Sequence, residues 1–215
     1  MSQPMPAITH HIPDPMMAAY ASGTLPHAFS LVVATQVSMS SEARVTLQAH
    51  EAVGGIVLED SSSVAVSDGM KSNLLSMLDD SMPEEPVYAR NGVYPAPVME
   101  MLKGREPRWK PLGMGVKQDI LGEDEFGSVR LLYIPPEQAV PDHGHNGLEL
   151  TLVLQGSFSD ETGRFGVGDV EVADETLEHT PIAGAGEPCI CLAATDARLK
   201  FNAFMPRLLQ PIFRI

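Results

Sequence analysis

Cysteine is scarce in this sequence: Cys189 and Cys191 are the only two among 215 residues. A single residue separates them, which is a poor spacing for a disulfide framework, so a secreted fold held by disulfides is excluded. We expect reduced thiols and a cytoplasmic protein. No run of about 18 apolar residues occurs, which excludes a membrane-spanning helix. The residues before Asp14 have no basic segment and no apolar core, so we predict no signal peptide.

Basic residues are also few. Lys and Arg number 14 against 28 Asp and Glu, and the formal net charge is −14. Because nonspecific binding to nucleic acid or to an anionic membrane needs a basic surface, we expect neither as a direct partner. The P-loop, the GxGxxG motif and the GxSxG motif are absent as well. The sequence therefore gives no sign of a nucleotide-binding or serine-hydrolase site.

Helical periodicity characterises the N-terminal half. The predicted helices are residues 14–21, residues 27–36, a third from residue 41 to a stop at Gly54-Gly55, a fourth that begins near residue 67 or 68, and a short one over 97–103. We expect the fourth helix to face a core through its apolar side chains, which are Leu74, Leu75, Met77 and Leu78. Residues 82–95 contain prolines, glutamates and an Asn-Gly pair, and they predict a linker.

From Trp109 onward the apolar period changes to two. The predicted strands are residues 115–121, 129–134, 150–155, 168–172, 190–194 and 199–204. Short strands at this spacing, separated by glycine-containing turns, favour an all-β sandwich or barrel. We therefore predict an α+β chain of two domains, with a small helical domain over 1–85, a linker with a short helix over 86–105, and a β-barrel domain over 106–215.

The most informative segment is PDHGHNGLE, residues 141–149. Alternate residues of a strand share a face, so we expect His143 and His145 to point the same way. The place of Glu149 depends on the turn between them. A two-residue hairpin would pair His145 with Leu148 and send Glu149 to the other face. A three-residue loop would pair His145 with Glu149 and bring the carboxylate beside both imidazoles.

A fourth ligand would come from a distant strand, and His179 is the only histidine after position 145. Three imidazoles and one carboxylate suit Zn(II), Fe(II), Mn(II), Ni(II) or Cu(II). We therefore predict a metal site made of His143, His145, Glu149 and His179. With four protein ligands on tetrahedral zinc the site would be closed, and structural or regulatory. A metal with five or six ligands would keep positions open for substrate or oxygen.

The same residues carry a resemblance to the cupins. The first cupin motif, G-x5-H-x-H-x(3–4)-E-x6-G, is matched by His143, His145, Glu149 and Gly156, with Glu137 in the place of its first glycine. The second motif, G-x5-P-x-G-x2-H-x3-N, keeps its first glycine and its histidine. These are Gly168 and His179, whereas Asp174, Thr176 and Ala183 replace the remaining positions. The region from residue 109 to 215 thus resembles a cupin, which is a β-barrel of jelly-roll type.

Longer stretches resemble ChrR-type anti-sigma factors. They are AAYASGTL (18–25), AFSLVVAT (28–35), AVPDHGH (139–145), GLELTLVLQG (147–156), HTP (179–181), CICLAATD (189–196) and the closing FRI. The resemblance implies a helical domain that keeps an extracytoplasmic-function sigma factor from RNA polymerase. It also implies a cupin-like domain needed for release in response to singlet oxygen and related oxidants. On this resemblance we expect a transcription regulator with a sigma factor as protein partner, and one divalent metal, zinc, in the cupin domain.

The sequence departs from this family in the helical half. The family holds zinc there through an upstream histidine, matched by His11 or its neighbour His10, and an H-x3-C-x2-C motif. The motif positions are here Gln36, Ser40 and Ala43. Because Gln and Ser are poor zinc ligands and Ala is none, we expect no zinc in this half. Its helices must then hold by packing alone.

Two alternatives stay open. Three histidines and one glutamate in a cupin also serve Fe(II) dioxygenases, so the chain is alternatively a cupin metalloenzyme, or a small-molecule-binding cupin, that has lost sigma binding. Cys189 and Cys191 share one face of a strand. They are either an oxidisable pair near the barrel interior or two small core residues.

Overall fold

Helices precede strands along the chain, as the periodicity predicts. The computed structural model describes residues 7–67, 69–78, 86–140 and 147–196, together with the backbone of 143–144 and 200–201. The helices are α1 (Asp14–Ala21), α2 (His27–Met39), α3 (Ser41–Glu59), α4 (Met70–Met77) and α5 (Ala96–Leu102). At the start of α3 the Ser40 hydroxyl accepts a hydrogen bond from the backbone N–H of Ala43 at 3.1 Å. This cap satisfies one of the N–H groups that a helix start leaves unpaired.

The predicted stop of α3 at Gly54-Gly55 is wrong, because the helix continues to Glu59. Glycine ends a helix when it adopts a left-handed conformation. Neither Gly54 nor Gly55 has a positive φ. A glycine inside a helix costs about 1 kcal/mol relative to alanine. The helix accepts that cost at both positions, and residue Asp60 becomes its C-cap.

The expectation that α4 faces a core is also wrong. None of its residues is buried, and the exposed fractions are 61% for Leu74, 52% for Leu75, 64% for Met77 and 74% for Leu78. The helix also begins at Met70, two to three residues later than predicted. Within the described chain, no helix is both long and apolar enough to cross a membrane.

The second half is built of antiparallel sheets. Its strands are β1 (Lys110–Gly113), β2 (Val116–Asp124), β3 (Gly127–Ile134), β4 (His143–Gly144), β5 (Glu149–Gln155), β6 (Ser157–Ser159), β7 (Arg164–Gly166), β8 (Val170–Ala173), β9 (Glu178–His179), β10 (Ile182–Ala183), β11 (Cys189–Thr195) and β12 (Lys200–Phe201). The largest sheet has the order β1-β2-β3-β11-β5-β8, and smaller sheets have the orders β10-β6-β7 and β12-β4-β9. The predicted strands correspond to β2, β3, β5, β8 and β11. Of the one predicted over 199–204, only residues 200–201 are described.

The outer face of the large sheet packs against the helices. Leu150, Leu152 and Leu154 occupy alternate positions of β5 and therefore lie on one face of the sheet. All three belong to one buried hydrophobic cluster. The cluster also contains Val32 and Val33 of α2, which contacts β3, β5 and β11. At roughly 25 cal/mol per Å² of buried apolar surface, such a shared cluster is a main source of stability. The helical half and the sheet are therefore held together by one core.

The opposite face of this sheet, here called the inner face, is a second and more polar interior. Its apolar members form a separate cluster of Ile134, Val153, Phe158, Phe165, Ala183, Cys189 and Cys191. Buried polar side chains share this face, namely Gln118, Arg130, Thr151 and Glu171. A buried charge needs a partner. The inner face therefore holds the buried polar and charged side chains from which a functional site could be built.

Residues 8–12, here called the N-terminal strap, join the two halves by hydrogen bonds. The side-chain amide of Gln36 in α2 accepts from the backbone N–H of Ile12 and donates to the carbonyls of His10 and Gly168, each at 2.9 Å. On the sheet side, Asp169 accepts from the N–H groups of Thr9 and His10 at 2.6 and 2.9 Å. Buried polar groups that are all paired in this way fix one arrangement of the segments they join.

Candidate metal site and partner surface

The predicted ligands His143 and His145 are only partly within the described chain. The backbone of His143 lies in β4, which pairs with β9, and residue 143 stands directly opposite His179 in the register. The side chain of His143 and the whole of His145 lie outside the described residues. The backbone thus places two of the four predicted ligand positions side by side.

Among the described residues, β4 and β5 do not pair with one another, as a hairpin after His145 would require. The strand that contains His143 pairs with β9 and β12, whereas β5 lies between β11 and β8 in the large sheet. Glu149 consequently has Thr195 and Ala173 as its cross-strand neighbours. The prediction was wrong because it assumed that two strands close in sequence pair with one another.

Glu149 stands at the start of β5 on the inner face. Its carboxylate accepts a hydrogen bond from the Thr151 hydroxyl at 3.1 Å. Arg130 lies on the same face, across β11, and its guanidinium donates to Gln118 Oε1 at 3.2 Å and to Ser128 Oγ at 2.7 Å. Burial lowers the pKa of Arg130, and the negative charge of Glu149 opposes that shift. Glu149 is therefore placed both as a candidate ligand and as counter-charge to a buried arginine.

His179 is the best defined of the predicted ligands. It is fully buried at the end of β9. Its Nδ1 lies 2.6 Å from Oδ2 of Asp160 and 3.3 Å from Oε1 of Glu171, and both carboxylates are buried as well. Ligand atoms of these three residues lie within 4.8 Å of one another, close enough to hold a metal ion. With Nδ1 engaged by carboxylates, Nε2 is the nitrogen through which His179 would bind a metal of the predicted set.

Asp160 is held in place by its own turn. Its Oδ1 accepts from the backbone N–H of Thr162 at 2.8 Å, from the Thr162 hydroxyl at 2.7 Å and from the N–H of Gly163 at 3.2 Å. This is an Asx turn between β6 and β7. Because one carboxylate oxygen is fixed by three donors, the other has a defined direction, and it faces His179.

The three groups shift one another's ionisation. Burial would raise the pKa of Asp160, but hydrogen bonds from Glu171, Thr162 and His179 outweigh it and lower that pKa. Burial raises the pKa of Glu171 to about 7. Burial would lower the pKa of His179, but Glu171 and Asp160 outweigh it and raise it to about 9. In the metal-free chain, near neutral pH, His179 is therefore an imidazolium beside an ionised Asp160.

The cysteines are two buried thiols of β11. Their sulfur atoms are 3.5 Å apart on the inner face, so the expected common face is confirmed. The hydrogen bond between the two thiols, together with burial, raises the pKa of Cys191 well above its ordinary value. A thiol kept protonated and away from solvent is a poor nucleophile. In this conformation the pair packs as core residues.

The positions of the family's N-terminal zinc motif have structural roles. Gln36 bonds the strap to the sheet, Ser40 caps α3, and Ala43 is buried in the hydrophobic cluster. The upstream His11 has Nε2 at 3.5 Å from Glu42, and its buried Nδ1 has no hydrogen-bond partner among the described residues. That this half holds no zinc stays a prediction.

Sequence reasoning missed Asp160, Glu171 and Arg130. The signal for Glu171 and Arg130 was a charged residue inside an otherwise apolar strand, at VEVA and SVRLLY. For Asp160 it was the tripeptide Asp-Glu-Thr before a glycine, a typical turn sequence. None of these signals says which histidine the side chain will meet, because that depends on strand pairing distant in sequence.

Comparison with known proteins identifies the family. A family profile described as the ChrR cupin-like domain matches residues 99–198. The anti-sigma-E factor ChrR of Cereibacter sphaeroides is 52% identical over 212 residues, which cover 97% of this chain and 99% of that protein. This chain belongs to the ChrR family of anti-sigma factors. The β-half is thus a cupin, and the resemblance noted in the sequence is confirmed.

A solved structure agrees over both halves of this ChrR-family chain. It is the crystal structure of Rhodobacter sphaeroides SigE in complex with the anti-sigma ChrR. The matching chain is 50% identical, with a TM-score of 0.80, and the match covers 88% of this chain and all of that one. The helical half, and not the cupin alone, is therefore shared with a protein that was crystallised on a sigma factor.

Two apolar stripes, one on α3 and one on α4 with its C-cap, are open to solvent, and together they are here called the α3–α4 surface. On α3 it comprises Val53, Ile56, Val57 and Leu58, and on α4 it comprises Met70, Leu74, Leu75, Met77 and Leu78, all more than half exposed. Spacings of three and four residues place most of them in one stripe on each helix. Soluble proteins rarely expose stripes of apolar side chains like these unless a partner covers them.

Proposed function

We propose that this chain is an anti-sigma factor that sequesters an extracytoplasmic-function sigma factor in the cytoplasm and keeps it from RNA polymerase. The observation that carries the proposal is the α3–α4 surface, because its stripes have no covering element among the described residues. Membership of the ChrR family, and the structure of a relative in complex with SigE, support a sigma factor as the proposed occupant of this surface.

The pattern of burial in the rest of the helical half supports the α3–α4 surface as the binding site. Its buried apolar residues, such as Phe29, Val32 and Val33 of α2, are already used against the sheet. The second half of α3 and all of α4 are not buried by the sheet, so they stay available to a partner. The chain thus anchors one end of its helical half on the cupin and presents the other end to the sigma factor.

Substitution of two apolar residues on this surface tests the proposal. Ile56→Asp together with Leu75→Asp places a charge on each stripe, and desolvating a charge in an interface is costly. Both residues are more than half exposed, so the fold should tolerate the change. We expect the tagged parent chain to co-purify with the sigma factor of its host at one to one, and the double variant to lose at least 100-fold in affinity.

Met114→Asp is the matched control. Met114 is 68% exposed in the turn between β1 and β2, and its φ of 52° suits aspartate. We expect this variant to bind the sigma factor like the parent. Equal binding by the parent and the double variant would contradict the proposed surface. A folded parent chain that binds no sigma factor of its host would contradict the proposed function itself.

We also propose that the cupin half holds one divalent metal, zinc, through His143, His145, Glu149 and His179. Two observations support this donor set: His179 is a buried imidazole with Nδ1 in contact with a carboxylate, and Glu149 stands on the inner face. The backbone register of β4 and β9 adds the position of His143. Bound there, zinc would act as a closed regulatory centre that holds these strands together. We expect metal analysis of the purified parent chain to find about one zinc per chain.

Release of the sigma factor is proposed to follow oxidation by singlet oxygen or a related oxidant, at the metal site or at Cys189 and Cys191. The raised pKa and burial of Cys191 support a resting state that does not react without a change in the inner face. A ligand or modification can shift such an equilibrium only if the two states differ in sigma affinity.

A further inference from the structure

The contact between Asp160 and His179 is short, buried and fixed by further hydrogen bonds. Oδ2 of Asp160 lies 2.6 Å from Nδ1 of His179, and both side chains are buried. Three donors from Thr162 and Gly163 fix the other carboxylate oxygen. Glu171 also faces Nδ1, but at the longer distance of 3.3 Å. Of the two carboxylates, Asp160 therefore makes the shorter contact and is held by its own turn.

We propose that Asp160 is the positioning residue of the cupin metal site: it accepts the Nδ1 proton of His179 and so presents Nε2 to the metal. The proposal rests on the metal site proposed above. A neutral imidazole has one protonated and one ligating nitrogen, and the hydrogen bond made by the first decides which is which. A carboxylate at Nδ1 also makes the ligating nitrogen more basic.

Asp160→Asn isolates this role. The asparagine Oδ1 keeps an acceptor for the Thr162 and Gly163 donors, so the turn is retained. An NH₂ group replaces Oδ2, and it can only donate toward His179. If Nδ1 accepts from that NH₂ group, the ring proton moves to Nε2, and that nitrogen can no longer bind the metal without a rearrangement. If Nδ1 keeps its proton, its remaining acceptor is Glu171 at the longer distance of 3.3 Å. In both cases the short contact that orients the ring is lost. Loss of an outer-shell partner of this kind typically lowers metal affinity by about 10- to 100-fold.

The chain contains a matched control for this substitution. Asp174 begins a second Asp-Glu-Thr tripeptide, and its Oδ1 accepts from the N–H and the hydroxyl of Thr176 at 2.8 and 2.6 Å. This turn reproduces the cap of Asp160, but it is exposed and follows β8. Asp174→Asn therefore repeats the chemical change and the local turn, at a position where no contact with His179 is proposed.

The experiment measures the zinc affinity of the parent chain and both variants by competition with a chelator, after a circular dichroism check of the fold. We expect Asp160→Asn to bind zinc about 10- to 100-fold more weakly and Asp174→Asn to match the parent. X-ray absorption at saturating zinc should show the same number of nitrogen and oxygen neighbours in the parent and in Asp160→Asn, since Asp160 orients a ligand and is not one.

Each other outcome has a distinct meaning. Affinity of Asp160→Asn within twofold of the parent would overturn the positioning role and leave the metal site standing. Loss of one oxygen neighbour in Asp160→Asn would overturn it too, because Asp160 would then be a ligand, in the alternative set with Glu171 and His179. A parent chain that binds no zinc would overturn the proposed metal site and, with it, this inference.

Discussion

At the scale of single residues, the inner face concentrates charge where most proteins bury apolar side chains. Arg130 lies there within the electrostatic influence of Glu149, and Asp160, Glu171 and His179 shift one another's pKa values. Burying such groups costs free energy unless they are paired, and a cluster like this one is a common mark of a functional site. Their arrangement therefore makes the stability of the metal-free chain depend on pH.

The direction of that dependence follows from the raised pKa values. Glu171, with a pKa of about 7, and His179, with a pKa of about 9, keep protons that the unfolded chain has already released. The stability contributed by this proton uptake is fully present below the unfolded values, near 4.5 for Glu171 and 6.5 for His179. It is lost as the pH rises through 7 and then through 9.

We therefore expect the melting temperature of the chelator-treated chain to fall steadily between about pH 6 and about pH 9. His50→Gln is the control, because His50 pairs with Asp14 on the surface of the helical half, far along the chain from this cluster. The His50→Gln variant should reproduce the fall. Glu171→Gln should reduce the fall over the whole range, because it removes one titrating group and also a carboxylate that raises the pKa of His179. A melting temperature that does not change over this pH range would contradict the assigned protonation states.

The sequence named candidate ligands but not the groups around them. Glu149 and His179 were selected by the spacing of a motif, which is local or nearly so, and their role as ligands stays a prediction. Asp160 is 19 residues from His179, and Arg130 is 19 residues from Glu149. Their proximity depends on which strands pair, and the wrong hairpin after His145 shows that pairing was not predictable from nearby residues.

At the scale of elements, the N-terminal strap is the part that a single substitution tests best. Gln36→Ala removes the partner of the Ile12 N–H and of the Gly168 carbonyl, while the carbonyl of His10 keeps a hydrogen bond from Val170. Each buried group left without a partner costs about 1–3 kcal/mol. We expect the free energy of unfolding, measured in urea, to fall by about 2–4 kcal/mol.

Gln48→Ala provides the comparison for that loss. Gln48 is an exposed residue of α3, and alanine is at least as good a helix former, so the free energy of unfolding should change by less than about 0.5 kcal/mol. Equal free energies of unfolding for the two variants would contradict the claim that the strap stabilises the contact between the helices and the sheet.

The helices show why an apolar stripe alone is ambiguous. The stripe of α2 is buried on the sheet, whereas the stripes of α3 and α4 are open to solvent. All three have the same spacing in the sequence, so periodicity predicted the helices but not which surface covers each one. A stripe that contacts another protein is indistinguishable, in a single sequence, from one that contacts its own core.

At the scale of the whole molecule, the two halves share one hydrophobic cluster and the hydrogen bonds of the strap. The turn that contains Gly168 and Asp169 contacts the strap and connects β7 to β8. Glu171 belongs to β8, two residues after this turn. A change at the cupin site is thus physically connected to α2. This is the kind of packed route through which a two-state change can alter binding elsewhere.

Transcription in a defined system tests the central claim most directly. Purified RNA polymerase, the extracytoplasmic-function sigma factor of the host and a promoter it recognises would be assayed with increasing amounts of the chain. The account predicts that transcription stops at about one chain per sigma factor. The chain should leave transcription by the housekeeping sigma factor unchanged. The Ile56→Asp, Leu75→Asp variant should leave transcription by the extracytoplasmic-function sigma factor unchanged. Undiminished transcription in the presence of excess folded chain would contradict the claim that this protein is an anti-sigma factor.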